Sequence, residues 1–160
     1  MGDRAANLQR ALRDLGVHGR VTKKSSLYET EPVEFTAQPW FLNCAVELET
    51  LCEPLELLAG ILSIERSLGR IRDESLPKGP RILDIDILLF GFAIVELASL
   101  TVPHPAMHLR RFVLEPLAEI AGEVWHPKLR CTVRELLVPV PDGQAIRKWH
   151  RGDGTSVLNT

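Results

Sequence analysis

The segment that decides the fold of this chain reads Lys78-Gly79-Pro80-Arg81-Ile82-Leu83-Asp84-Ile85-Asp86-Ile87-Leu88-Leu89-Phe90-Gly91. Glycine and proline interrupt regular structure before residue 81, and a glycine follows residue 90, so the pattern predicts one strand over residues 81–90. Because successive side chains of a strand point to opposite faces, one face of this strand is apolar and suited to a core. That face carries Leu83, Ile85, Ile87 and Leu89.

Asp84 and Asp86 share the opposite face of the predicted strand, with Cα atoms roughly 6.5–7 Å apart. Two carboxylates at that distance repel each other, and burying them without partners costs desolvation energy. A divalent cation relieves both effects, and Mg²⁺ suits hard oxygen ligands that act together with substrate phosphates. The same alternation also fits a half-exposed strand with two solvated aspartates, and spacing alone does not separate the two interpretations.

Length and composition indicate one globular domain. The 160 residues are enough to bury a core, and a hydrophobic fraction of 45% is ordinary for such proteins. The net charge of -2 argues against nucleic acid as a partner, and no apolar run approaches the roughly 20 residues of a membrane helix. Cys44, Cys52 and Cys131 lack zinc-ligand spacing and no secretory signal is visible, so we expect a cytoplasmic protein. We also expect a monomer, although the sequence carries no signal for the oligomeric state.

Hydrophobic periodicity predicts helices and strands in mixed order. The predicted helices cover residues 4–15, with Asp3 as N-cap, and residues 54–68, 110–121 and 132–137. Strands are predicted over 21–28 and 41–50, with further short strands within 94–102, and loops over 30–39 and 70–78. This order favours an α+β fold with helices on one face of an antiparallel sheet. We expect one domain over residues 1–138 and a poorly structured C-terminal tail over 139–160.

Basic side chains surround the aspartate pair in sequence. They are Arg70, Arg72, Lys78, Arg81, His104, Arg110 and Arg111. Each alone fits a solvated surface charge, but together with two carboxylates they suit a metal-chelated polyphosphate such as a nucleotide triphosphate. The chain has neither a GxxxxGK[ST] loop nor a GxGxxG motif, so the phosphates would be held by side chains. Arginine suits this role because its planar guanidinium binds phosphate through two parallel hydrogen bonds.

Several separated segments resemble the family of 6-hydroxymethyl-7,8-dihydropterin pyrophosphokinases, also called 2-amino-4-hydroxy-6-hydroxymethyldihydropteridine diphosphokinases. They are Ser26-Leu27-Tyr28-Glu29-Thr30-Glu31-Pro32-Val33, Gln38-Pro39-Trp40-Phe41-Leu42-Asn43, Glu65-Arg66-Ser67-Leu68-Gly69-Arg70-Ile71-Arg72, the segment 79–88, Thr101-Val102-Pro103-His104-Pro105 and Arg110-Arg111-Phe112-Val113-Leu114-Glu115-Pro116-Leu117. The resemblance runs in order from about residue 2 to residue 137. It implies a ferredoxin-like enzyme of folate biosynthesis that transfers the diphosphate of ATP to the pterin and releases AMP.

The resemblance also implies roles for individual residues. Asp84 and Asp86 would hold two Mg²⁺ ions. The pterin would contact Thr30, Val33, Phe41, Asn43 and Phe112, with its ring between the two phenylalanines. The ATP site would comprise Glu65, Arg70, Arg72, Lys78, Arg81, Ile87, Thr101, His104 and Arg110. Arg70, Arg72 and Arg81 would be the catalytic residues that stabilise the transferred and leaving phosphate oxygens. Without the resemblance, Phe41 and Phe112 would be interpreted as core residues and His104 as a turn residue.

The sequence departs from the family at its start. The family begins with a strand that ends in a Gly-Ser-Asn turn, whereas Met1-Gly2-Asp3-Arg4 corresponds to the end of that turn, so the first strand is missing. Its neighbours would keep unpaired backbone groups. Two alternatives to the enzyme therefore stay open. One is a catalytically impaired ferredoxin-like module that binds pterin or nucleotide, and the other is an interaction protein whose sheet edge recruits a strand from another chain.

Overall fold

A computed structural model of the chain describes residues 3–31, 40–69, 83–141 and 145–150. Contacts between residues divide the chain into two compact units. The first unit comprises Met1–Thr22 and Leu48–His104, and the second comprises Lys23–Glu47 and Pro105–Thr160. Among the described residues, none of the helices has the length and apolar character needed to span a membrane.

Along the described residues, groups of short strands separate the helices. The helices are α1 (Arg4–Leu15), α2 (Pro54–Gly69), α3 (Arg111–Ala121) and α4 (Val133–Leu137), with a 3₁₀ turn at Met107–Leu109. The strands are β1 (Arg20–Lys24), β2 (Tyr28–Thr30), β3 (Phe41–Asn43), β4 (Val46–Glu49), β5 (Val95–Glu96), β6 (Thr101–Val102), β7 (Trp125–His126), β8 (Cys131–Thr132) and β9 (Ile146–Lys148). β1 pairs with β4, β5 with β6 and β7 with β8, while β2 lies between β3 and β9. The prediction of an α+β fold with antiparallel strand pairs is confirmed. The described strands form four small sheets rather than the one predicted sheet. The ferredoxin-like topology, the helices on one face and the missing first strand stay predictions.

Helices α1 and α2 pack against each other in the first unit. As predicted, α1 begins after Asp3, whose side chain accepts a hydrogen bond from the Ala6 N–H at 3.1 Å. α2 begins at the predicted proline and ends one residue later than predicted. Its buried stripe contains Leu57, Gly60, Ile61, Ile64 and Leu68. Glu65 follows this stripe and is half-buried, so its carboxylate can reach a neighbouring segment of the same unit.

The strand predicted over residues 81–90 is absent from its described part, residues 83–90, where no residue belongs to a strand. Exposure nevertheless alternates as predicted over residues 83–86, because Asp84 and Asp86 are exposed and Leu83 and Ile85 are half-buried, whereas residues 87–90 are all half-buried. A strand requires a ladder of bonds to a neighbouring strand. Here the Ile85 N–H donates to a side chain of α2 instead. Alternation therefore predicted the two faces correctly over residues 83–86 only, and it carries no information about a pairing partner.

The two long strands predicted over 21–28 and 41–50 are each divided. Residues 25–27 separate β1 from β2, and residues 44–45 separate β3 from β4. At this break the Ser25 N–H donates to the Ala45 carbonyl oxygen, and the Ala45 N–H donates to the Ser25 hydroxyl oxygen, both at 2.9 Å. A buried serine hydroxyl thus replaces a backbone acceptor, which satisfies the Ala45 N–H where the regular ladder stops.

The tail predicted to be poorly structured over 139–160 contains strand β9. The Glu31 N–H donates to the Ala145 carbonyl oxygen at 3.1 Å, and the Trp149 N–H donates to the Leu27 carbonyl oxygen at 2.8 Å. These bonds extend the pairing of β9 with β2 at both ends. The prediction is therefore wrong for residues 145–149, because pairing with β2 supplies the order that their polar composition does not indicate. Residues 142–144 and 151–160 lie outside the described residues.

Candidate functional site

The predicted site residues fall into three sets. Glu65, Asp84, Asp86, Ile87, Thr101 and His104 lie in the first unit. Thr30, Phe41, Asn43, Arg110 and Phe112 lie in the second unit. Val33, Arg70, Arg72, Lys78 and Arg81 lie outside the described residues, so their predicted roles stay predictions. The first set corresponds to the predicted metal and nucleotide residues, and the second to the predicted pterin residues with Arg110.

In the first unit, a hydrogen bond joins Glu65 of α2 to the backbone of the aspartate segment. The Ile85 N–H donates to the Glu65 Oε2 atom at 2.7 Å. Ile85 stands between Asp84 and Asp86, so this bond holds the backbone that carries both carboxylates. The bond is short and its acceptor is a carboxylate, which places it among the stronger hydrogen bonds. Glu65 thus bonds the backbone between the two aspartates, a contact that the resemblance did not imply, and its contact with ATP stays a prediction.

A second hydrogen bond joins the aspartate segment to the segment containing His104. The His104 N–H donates to the Leu88 carbonyl oxygen at 2.9 Å, one residue beyond Ile87. Thr101 lies three residues before His104, in β6, opposite Glu96 of β5. Two prolines flank His104 and disfavour a helix there, as predicted. The structure therefore brings His104 next to the chain that carries Ile87 and the two aspartates.

Asp84 and Asp86 offer exposed oxygen ligands at successive outward positions. Among the residues described, no three His, Cys, Asp or Glu side chains are arranged to hold a metal ion. Mg²⁺ is bound in nucleotide sites by one or two carboxylates together with phosphate oxygens and water. The aspartate pair fits that kind of site, and its chemistry does not require a third protein ligand.

In the second unit, one face of the β3–β2–β9 sheet carries three predicted pterin residues. Thr30 lies opposite Phe41, and Tyr28 lies opposite Asn43, so these side chains share one face. The Asn43 Nδ2–H donates to the Thr30 hydroxyl oxygen at 2.9 Å. Thr30 is buried, whereas Phe41 is 53% exposed. The arrangement places an oriented amide group beside an exposed aromatic ring, which suits a flat heterocycle with a polar edge.

Helix α3 contacts β2 and β3 and carries Phe112 near its start. The guanidinium carbon of Arg110 lies 5.8 Å from the centre of the Phe112 ring, within the range of a cation–π contact. A residue predicted for ATP and a residue predicted for the pterin are therefore neighbours. Arg111, between them, pairs with Glu115 and donates to the Val140 carbonyl oxygen, so its side chain is used within the fold.

Glu119 of α3 holds the start of β2 in place. Its Oε1 atom accepts from the Tyr28 hydroxyl at 2.6 Å, and its Oε2 atom accepts from the Ser26 N–H at 2.9 Å and the Ser26 hydroxyl at 3.0 Å. Burial opposes ionisation of Glu119, but these hydrogen bonds hold the pKa of its carboxyl below the usual value. Burial, together with the negative charge of Glu119, raises the pKa of Tyr28 well above its usual value. The strand that carries Thr30 is thus fixed to the helix that carries Phe112.

A cluster of three residues was missed by sequence reasoning: Arg147 of β9, Glu29 of β2 and Trp40 before β3. The Arg147 Nε and Nη2 atoms donate to the Glu29 Oε1 atom at 3.0 and 2.9 Å. The Arg147 guanidinium carbon lies 4.6 Å from the centre of the Trp40 ring. Alternation along β2 and β3 could have placed Glu29 and Trp40 behind the pterin face, but no local signal identifies Arg147 as their partner.

Comparisons with known proteins show which family the chain is similar to. Residues 1–122 match the family described as 7,8-dihydro-6-hydroxymethylpterin-pyrophosphokinase (HPPK). The chain is 42% identical over 156 residues to a Bacillus subtilis 2-amino-4-hydroxy-6-hydroxymethyldihydropteridine pyrophosphokinase, covering 96% of this chain and 87% of that protein. It is 38% identical over 161 residues to the folic acid synthesis protein fol1 of Schizosaccharomyces pombe, of which it covers 22%. It is also 38% identical to a folate synthesis bifunctional protein of Arabidopsis thaliana, of which it covers 33%.

Proposed function

This chain belongs to the 7,8-dihydro-6-hydroxymethylpterin-pyrophosphokinase family, and we propose on that basis that it transfers the diphosphate of ATP to 6-hydroxymethyl-7,8-dihydropterin. The products are AMP and the pterin diphosphate, and the step belongs to folate biosynthesis. The observation that carries the proposal is the match to the Bacillus enzyme over 96% of the chain. The contacts within each of the two sets of site residues are consistent with it.

The pterin is proposed to bind on the face formed by Thr30, Phe41 and Asn43. The hydrogen bond from Asn43 to Thr30 holds one N–H of the amide, and the amide oxygen and the second N–H are proposed to pair with the edge of the pterin. A buried polar edge of this kind rejects analogues that cannot pair with it. The exposed Phe41 ring supplies one stacking surface, and the proposed second surface is Phe112.

The nucleotide is proposed to bind at the first-unit set, with its phosphates near Asp84 and Asp86. Mg²⁺ bound there with ATP would neutralise phosphate charge and orient the diphosphate for in-line attack. Glu65 holds the backbone between the two carboxylates. His104 and Thr101 are proposed to contact the nucleotide from the neighbouring segment, because a backbone bond links His104 to that segment.

The reaction is proposed as a direct displacement at the β-phosphorus. The hydroxymethyl oxygen of the pterin forms a bond to the β-phosphorus and loses its proton to solvent. The bond from that phosphorus to the α,β-bridging oxygen breaks, and AMP leaves with that oxygen. Cationic side chains at the phosphates stabilise charge that develops on the leaving and transferred oxygens. Arg70, Arg72 and Arg81 are proposed for that role, and Lys78 and Arg110 for binding ATP. Positioning and electrostatics dominate such transfers, so the hypothesis requires no strong general base.

We propose that the chain works in the cytoplasm, and its expected monomeric state stays a prediction. Cys44, Cys52 and Cys131 are all free thiols, which supports a reducing compartment. Burial raises the pKa of the Cys44 thiol, which favours its unreactive protonated form.

The test is AMP formation from ATP, MgCl₂ and 6-hydroxymethyl-7,8-dihydropterin, with the pterin diphosphate identified by mass. AMP is expected only when the pterin and Mg²⁺ are both present. The Bacillus subtilis relative serves as the positive control. If the chain bound the pterin but formed no AMP while that control was active, the impaired module would replace the proposal.

A further inference from the structure

We propose that Arg147 is a positioning residue for pterin recognition, which it supports from the face of the sheet opposite the pterin. This inference rests on the proposed function, because it assumes that Thr30, Phe41 and Asn43 bind the pterin. Arg147 itself lies on the other face of the sheet and acts through Glu29 and Trp40.

The pairing register separates the two faces. Thr30, Phe41 and Asn43 share the pterin face, since directly opposite residues of an antiparallel pair point the same way. Glu29 lies opposite Leu42 of β3 and opposite Arg147 of β9. These three side chains therefore occupy the other face, which we call the rear face. Trp40 is two residues before Leu42, and its ring contacts Arg147, so it belongs to the rear face as well.

Arg147 makes two kinds of contact on the rear face: hydrogen bonds to Glu29 and a cation–π contact with Trp40. Glu29 is only 6% exposed, so its carboxylate requires compensation for the water it has lost. Arg147 supplies two hydrogen bonds to the same Glu29 oxygen. Its guanidinium also lies against the Trp40 ring at 4.6 Å. One side chain on β9 therefore joins β2 to the residue that precedes β3.

Each residue that Arg147 contacts is the chain neighbour of a pterin residue. Glu29 precedes Thr30, and Trp40 precedes Phe41. A shift of Glu29 or Trp40 would therefore shift the hydroxyl that orients Asn43 or the exposed ring that stacks on the pterin. Binding sites lose affinity when the residues behind them are loosened, even where no ligand contact is removed.

The test compares Arg147→Ala, Arg147→Lys and a matched control, Arg134→Ala. Arg134 lies in the same unit and pairs with Glu123, and its side chain is 62% exposed, as is that of Arg147. Glu123, the partner of Arg134, is 78% exposed rather than buried, so the loss of the Arg134 side chain leaves no buried charge. Arg147→Ala is expected to raise KM for the pterin about tenfold and to change KM for ATP less than twofold. Lysine keeps the charge but not the paired donors, so Arg147→Lys is expected to raise KM for the pterin about threefold.

The control should leave both KM values within about twofold of wild type. Unchanged KM for the pterin in Arg147→Ala would overturn the inference, as would equal increases in both KM values with a matching loss of kcat. If Arg147→Ala does not fold, Arg147→Lys and Trp40→Leu carry the same comparison. A wild-type chain without AMP formation refutes the proposed function instead. Calorimetric titration of the same proteins with the pterin and a non-hydrolysable ATP analogue then still decides the role of Arg147.

Discussion

Replacing Glu65 separates two roles for its carboxylate: holding the backbone of the aspartate segment, or acting on ATP by charge. In Glu65→Ala the Ile85 N–H loses a carboxylate acceptor at 2.7 Å. A hydrogen bond to a charged group contributes about 1.5–3 kcal/mol. No residue of 83–90 belongs to a strand, so no ladder of strand hydrogen bonds replaces this contact. If the full free energy of this hydrogen bond is needed to hold the site in its reactive arrangement, kcat/KM for ATP drops by about 10- to 150-fold.

Glu65→Gln is the informative comparison. Glutamine keeps an oxygen that can accept from Ile85 but removes the charge, so a loss of only about fivefold is expected. The assay is the initial rate of AMP formation at varied ATP and saturating pterin. Glu56→Ala is the control, since Glu56 lies on the same helix and also accepts a backbone N–H, from Glu53 at 2.8 Å. Equal losses in Glu65→Ala and Glu65→Gln would refute the backbone role, and so would a Glu65→Ala rate within twofold of wild type.

Three further predictions concern residues of the second unit. Asn43→Leu removes the amide and is expected to raise KM for the pterin at least about tenfold, with KM for ATP unchanged; equal effects on both substrates would contradict its role in reading the pterin edge. Glu119→Ala is expected to lower the free energy of unfolding by about 1–3 kcal/mol in urea titrations. The loss in the double variant with Tyr28→Phe is expected to be smaller than the sum of the two single losses, and strictly additive losses would disprove the coupling of the two residues. His126 is 3% exposed, its Nδ1 atom accepts from two backbone N–H groups, and burial lowers its pKa. As the pH drops, the unfolded chain therefore binds the proton at a higher pH than the folded chain does. The free energy of unfolding should then decrease as the pH drops below about 6.5, by at most about 1.4 kcal/mol per pH unit. A His126→Asn variant with the same slope would contradict this.

Helices were predictable because their signals are local. Asp3 caps α1 and a proline begins α2 where expected, since capping and periodicity depend on residues within a few positions of each other. The same locality explains why Asp84 and Asp86 were correctly assigned to the exposed side. Alternation reports the two faces of a segment directly.

Pairing partners were not predictable from local patterns. The segment 83–90 has the alternation of a strand, but its partners are the Glu65 side chain and the His104 backbone, which no period encodes. Strand β9 was missed for the converse reason, since its order comes from β2, more than a hundred residues earlier in the chain. The resemblance to a family supplied the site residues, but not the contacts behind them. Arg147 and Glu119 emerge only when the strands and helices are brought together.

The exposed carboxylates of Asp84 and Asp86 are proposed to support diphosphate transfer from ATP to the pterin. The most direct measurement is AMP release by wild type, Asp84→Asn and Asp86→Asn, with Asp14→Asn of α1 as a charge-matched control. Asparagine keeps the size of the side chain and removes the charge, so each of the two variants is expected to lose at least about a hundredfold in kcat while the control keeps the wild-type rate. Wild-type rates in Asp84→Asn and Asp86→Asn would contradict the claim.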